Sequence, residues 1–357
     1  MFTYDEAAIA DNWVHDWLTA MLLGLLDAAD EGAPPPTWRA CIPPEKPELE
    51  ARRSIRDRRA ALIDPIGAEP QEGRDAIRLA VASHNNIPAV FDGATCPRKS
   101  ELPEPVRELL VDYFRAGFKL LDPLGVRAQH YEQVFAANPS NVCPFCGSET
   151  MKIPPPLSED PNAPNQDLDH YLAITLYPAA GSNLRNLVPM GSECNSRFKK
   201  ALDVIRKPSG DRRTPFDPFG DGHGGISLAG SQIPGPIGNA APVWTVNLEG
   251  GAAAETWDEV WDIRRRIKED VLQSQYKDWL EEIAITARVW NSIPADRQGL
   301  VQLLERNLAA AGALEFHQNG KAKIAFIRFL LDELMAAGES ADLENYMMSI
   351  FGILRAA

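Results

Sequence analysis

Apolar side chains return at every fourth position near the start of the chain, at Ile9, Trp13, Trp17, Met21 and Leu25. This spacing puts them on one helical face and predicts an amphipathic helix over residues 5–30, stopped by Gly32 and the run Pro34, Pro35, Pro36. The stripe reads as core. From Pro34 to about Pro70, prolines mix with Arg52, Arg53, Arg56, Arg58 and Arg59, a pattern for an irregular connector and then a charged helix with a solvated face. Residues 104–137 carry Val106, Leu109, Leu110, Tyr113, Phe114, Phe118 and Leu121, which predict a second strong helical segment. Between 139 and about 225 the periodicity gives way to Pro, Gly, Asn and Asp with short apolar runs, so that stretch should be loop-rich and held by local chemistry. A strand is expected at Val243–Leu248. A long helical pattern follows through Trp257, Val260, Trp261, Ile263, Ile267, Val271, Leu272, Tyr276, Trp279 and Leu280, with more helices to the end. Asp211 to Gly238 reads as a wrapping loop. The class is α+β, mostly α, in three parts: a helical region at 1–138 with a boundary near Pro139, a loop-rich centre at 139–225, and a strand plus helices at 226–357.

Composition sharpens this picture. The 357 residues include 45% hydrophobic side chains, enough for a sizeable core. A net charge of -14 argues against coating a polyanion over the whole surface, so any such contact needs a local basic patch. No basic, then apolar leader opens the chain and no apolar run is long enough for a membrane span, so a cytoplasmic protein with no membrane partner is expected. Five cysteines, two of them in Cys143-Pro-Phe-Cys146, fit a reducing compartment and a metal knuckle better than a disulfide framework. Cys41 and Cys96 read as ordinary thiols.

The loop-rich centre holds, in order, Cys143-Pro-Phe-Cys146, Asp167-Leu-Asp169-His170, Asn186-Leu-Val-Pro189 and Cys194-Asn195-Ser-Arg197-Phe-Lys199-Lys200. This succession over roughly residues 140–220 resembles the HNH endonucleases of the ββα-metal type, in particular the zinc-knuckle group. The resemblance implies a small ββα-metal HNH centre flanked by N- and C-terminal helical units. In it His170 is the general base, Asp169 and Asn195 are ligands of a catalytic Mg²⁺ or Mn²⁺, and Asn186 ties the connecting loop and orients the base. Asn also favours turns and caps, so Asn186 and Asn195 carry a purely structural alternative. The resemblance further implies a structural zinc on Cys143, Cys146 and Cys194. The family usually has another Cys three residues before the last one; here Gly191 stands there, leaving His223 and Cys96 as weak candidates for a fourth ligand. The later Thr214-Pro-Phe216-Asp217-Pro-Phe219 also resembles a stretch of bacterial HNH proteins, and is equally explained as a turn over packed aromatic rings.

The chemistry fits the residue types. Phosphodiester hydrolysis needs a base for water, which an imidazole supplies, and a hard cation on oxygen ligands to compensate charge. On a strict strand Asp169 and His170 would diverge, so a strand end or turn must bring them to one phosphate. From Arg197 to Arg213 seven basic residues face two acidic ones, a local charge of +5, and Arg197, Lys199 and Lys200 are expected to meet flanking phosphates. The expected function is metal-dependent cleavage of DNA, with anti-phage defence or restriction as the setting that the resemblance suggests. RNA cleavage and a catalytically inactive zinc-stabilised binding module are the alternatives. The acidic helical flanks are expected to dock a partner protein or a second copy.

Overall fold

The computed structural model describes residues 2–138, 141–160, 163, 166–233, 241–313, 315–336 and 341–356. The expected boundary at Pro139 and positions 234–238 of the wrapping loop lie outside them. The chain is mostly helical, with two small antiparallel sheets. Packing divides it into an N-terminal unit, Thr3–Asn138 with Met151–Asp221, and a C-terminal unit, Met1–Phe2, Pro139–Thr150 and Gly222–Ala357. This division differs from the three stretches that composition marks. The loop-rich part after residue 150 has too few apolar residues for a core of its own, so its Leu168, Ala179, Leu184 and Leu187 join the core of the preceding helices.

In the N-terminal unit, α1 (Trp13–Glu31) buries Val14, Trp17, Leu18, Met21, Leu22, Leu25 and Leu26 along one stripe. Gly32 ends it at φ 62, its N–H donating to the Ala28 and Ala29 carbonyls. The helix starts later than its periodicity predicts, because Asp5 accepts from Ala7 N at 2.8 Å and holds Glu6–Ile9 in a separate 3-10 turn. The basic helix is α2 (Arg53–Ala68), and its Arg59 is buried, donating to Pro36 O, rather than solvated. α3 (Gln71–Asn85) and the short α4 (Ile87–Phe91) follow. The segment expected at 104–137 is two helices, α5 (Glu104–Leu121) and α6 (Val126–Ala137). Pro123 lacks the N–H to continue and Gly125 sits at φ 73, so the chain turns between them. At Gly117 a Cβ would come within 2.3 Å of Leu18 Cδ1, so its absence lets α5 cross close to α1.

β1 (Leu168–His170) pairs antiparallel with β2 (Leu187–Pro189), Asp169 opposite Val188, and a short π-helical segment, Cys194–Lys199, comes next. The C-terminal unit has a small sheet of β3 (Gly225–Ser227) and β4 (Asn247–Glu249), then α7 (Gly251–Trp261), α8 (Ile263–Arg266), a π turn at Ile267–Leu272, α9 (Gln273–Val289), α10 (Arg297–Gly312), α11 (Gly320–Met335) and α12 (Ala341–Ala356). The strand expected at 243–248 is shorter and later. The Ser231 hydroxyl, not a strand partner, takes the Thr245 N–H at 2.9 Å, leaving Val243 in an isolated bridge to Gln232. The long helical pattern is broken at Asp262, which adopts φ 55. No described helix is long and apolar enough to cross a membrane.

Candidate functional site

The loop from β1 to β2 spans residues 171–186 and closes on one side chain. Asn186 is fully buried; its amide donates to Leu172 O at 3.0 Å and Ala180 O at 3.1 Å, and its Oδ1 accepts from Leu172 N at 2.6 Å. Three bonds from one amide hold both flanks of the loop in a single conformation. A second layer supports it. His15 meets Ser182 Oγ at 3.0 Å, His84 accepts from Ala179 N at 3.2 Å, Asn12 accepts from Leu184 N at 3.0 Å, and His130 reaches Leu187 O at 2.8 Å. Phe216 and Phe219 are buried, Tyr171 donates to Phe216 O at 2.9 Å, and Arg185 binds Asp217 at 2.6 Å, so the Phe216–Phe219 stretch packs as an aromatic turn under the hairpin.

His170 ends β1. Its Nε2 lies 2.9 Å from the Gly181 carbonyl, which only accepts, so Nε2 carries the hydrogen and the neutral ring keeps its lone pair on Nδ1. Burial, against the Gly181 bond and helped by the charges of Lys199, Arg127 and Arg115, pushes its pKa down to about 4. The Phe118 ring of α5 meets the imidazole edge-on, with centroids 4.5 Å apart. Asp169, one residue earlier, is buried. Lys199 Nζ stands 2.8 Å from its Oδ2 and donates to His170 O at 2.8 Å. The ammonium neutralises the buried carboxylate through this ion pair. Burial raises the Asp169 pKa, opposed by the attraction of Lys199.

Asn195 is half-buried, the second residue of the Cys194–Lys199 segment, with its N–H on Gly191 O at 2.9 Å. Lys199, in the same segment, anchors that segment to the end of β1. The expectation that Lys199 meets a phosphate therefore fails, because its side chain is wholly buried in the ion pair. Most of the expected basic patch is likewise committed internally. Arg206 binds Glu101 at 2.8 Å and Cys96 O at 2.7 Å, Arg212 donates to Val90 O, and buried Arg213 donates to Asp203 O at 2.7 Å. Arg197 and Lys200 remain exposed, Arg197 in a pair with Glu193 at 2.8 Å.

Of the expected zinc ligands, Cys143 is buried and Cys146 half-buried in the C-terminal unit, and Cys194 is buried in the N-terminal unit. The Cys96 thiol is buried, and burial pushes its pKa up to about 12.

Sequence reasoning did not find Phe118, Gly181 or the three buried histidines, His15, His84 and His130. No local signal could have marked them: each lies on a helix or loop whose own pattern is satisfied by packing, and only the fold brings them to the hairpin. Comparison with the models of known protein families, with curated proteins and with solved structures finds no match for this chain.

Proposed function

We propose that the hairpin and the segment after it form an HNH-type nuclease site that hydrolyses phosphodiester bonds of DNA. The observation that carries this reading is the state of His170: a neutral imidazole at the end of β1, fixed through Nε2 on Gly181 with Nδ1 left as the basic nitrogen, one residue after the buried Asp169. A ring so oriented takes a proton from water at Nδ1 while the water oxygen bonds to phosphorus and the bond from phosphorus to one ester oxygen breaks; the departing alkoxide is protonated by solvent. The buried carboxylate of Asp169, which Lys199 pairs in this structure, and the amide of Asn195 are the oxygen donors that would hold a hard divalent cation, Mg²⁺ or Mn²⁺, which would compensate charge on the phosphate when bound. Asn186 keeps the loop, and with it Gly181, in place behind the base. A structural zinc on Cys143, Cys146 and Cys194 belongs to the same reading by the sequence resemblance, three thiolates being a donor set that zinc favours.

One observation favours a second reading, a nucleic-acid-binding module without catalysis. Lys199 already places a positive charge 2.8 Å from Asp169, where an ion would otherwise bring one. The deciding experiment incubates purified protein of measured zinc content with plasmid, single-stranded DNA and RNA, with and without Mg²⁺ or Mn²⁺. Metal-dependent nicking of DNA that is lost in His170→Ala, while the melting temperature holds, supports the nuclease. Equal turnover by wild type and His170→Ala, or none with any metal, removes it in favour of the binding module.

A further inference from the structure

With Lys199 and Arg213 buried, and Arg206 and Arg212 bonded to Glu101 and to the Cys96 and Val90 carbonyls, the question is what else faces a polyanion near His170. The answer lies on the preceding helices. Phe118 on α5 touches the His170 ring at 4.5 Å, and the guanidinium of Arg127 on α6 lies over Phe118, 5.4 Å from its centroid. Arg115 stands three residues before Phe118 on α5, hence on the same helical face. Neither arginine is locked. Arg115 pairs with Asp112 at 3.1 Å and Arg127 with Asp122 at 3.4 Å, carboxylates 58% and 52% exposed, and Arg127 Nε has no hydrogen-bond acceptor among the described residues. Such surface pairs contribute little and exchange readily for a phosphate. The contrast with Arg98, held by the buried Asp203 at 2.5 Å, and with Arg185, held by Asp217, is direct.

We infer that Arg115 in the body of α5 and Arg127 in the first turn of α6 are positioning residues that grip the phosphodiester backbone of duplex DNA beside His170. This rests on the nuclease reading but concerns binding. The planar guanidinium suits phosphate oxygens, and the Phe118 ring lies under that of Arg127. Contacts of this kind read no bases, so they act on all sequences alike.

The test uses the full chain in a His170→Ala background, so that the probe is not consumed. Binding of a short fluorescein-labelled DNA duplex is followed by anisotropy between about 50 and 200 mM salt. Arg115→Met with Arg127→Met should weaken binding roughly tenfold at the lowest salt and reduce the slope of log affinity against log salt by about two. Arg115→Lys with Arg127→Lys should keep the slope, since each lysine still displaces one counterion, and this pair guards against a Met variant that fails to fold. An unchanged slope in a Met variant of native melting temperature, or no duplex binding by the parent, overturns the inference. A slope lost in the Met variant of a chain whose wild type cuts no DNA would leave the phosphate grip standing and remove the nuclease. Cleavage with an unaltered slope would do the reverse.

Discussion

The two units solve the problem of filling an interior in opposite ways. The N-terminal unit buries His15, His84, His130, Gln166, Asp169, Asn183, Asn186, Lys199 and Asp203, most of them around one hairpin and its loop. The C-terminal unit, among its described residues, buries Ser231, Thr256, Arg266 and Asn319 and otherwise fills with rings and aliphatics. Phe326 packs against Trp244 at 6.0 Å and Trp279 at 5.6 Å, and Phe145 stacks on Trp261 at 4.6 Å. Apolar burial is non-directional and stabilises many arrangements almost equally, whereas a satisfied polar network specifies one. The loop between β1 and β2, held in one conformation by Asn186, has the second kind of interior. The cost is sensitivity to protons.

That cost should be the largest measurable difference between the units. Burial pushes His15 and His84 down to about 4 from an ordinary 6.5, and lowers His130, which sits between the carbonyls of Ala8 and Leu187. Between those values the unfolded chain binds protons that the folded chain does not. The stabilisation is therefore complete above the unfolded pKa and is lost as pH falls from 6.5 toward 4. At about 3 kcal/mol for each strongly shifted ring, His170 among them, the N-terminal unit should lose several kcal/mol over that range. In the C-terminal unit His223 and His317 are both exposed, so it should lose far less. Amide exchange resolved along the chain at pH 7 and pH 5 reads both units at once. Equal loss in the two would break the comparison.

A smaller effect isolates the loop itself. Asn186→Ala removes the three bonds to Leu172 and Ala180 and should destabilise the N-terminal unit by roughly 3 kcal/mol in urea unfolding, since buried amide groups lose their partner. Cleavage should fall further than stability does, because Gly181, which holds the His170 ring, rides on the same loop. A loss under about 0.5 kcal/mol would mean that water or neighbouring backbone replaces the amide.

The smallest effect is the control from the other side. Phe326→Leu, at a wholly buried ring, should cost about 1–2 kcal/mol by trimming apolar contact, and this cost should be the same at pH 7 and pH 5. A pH-dependent penalty there would show that the C-terminal interior is coupled to a titrating group and sharpen where to look for it.

What could be read along the chain is what obeys short-range rules. The stripe Trp13, Trp17, Met21, Leu25 is a helix face because 3.6 residues make a turn. The stop at Gly32 follows from backbone freedom, and the mostly helical class follows from such patterns repeated. The order Cys143, Cys146, Asp169, His170, Asn186, Cys194, Asn195 also singled out the stretch where the polar interior gathers. Only the tertiary structure decided which charges face inward. Lys199 and Arg213 look like surface cations in a basic run, yet both are buried, Lys199 beside Asp169, because the carboxylate and carbonyls that receive them become neighbours only when the chain folds back. For the same reason His170 sits against Phe118 and Gly181, with Arg127, more than forty positions earlier, over the Phe118 ring. Local periodicity encodes an element, but a long-range pairing is set by the sum of many packing contacts, which no single stretch of sequence contains.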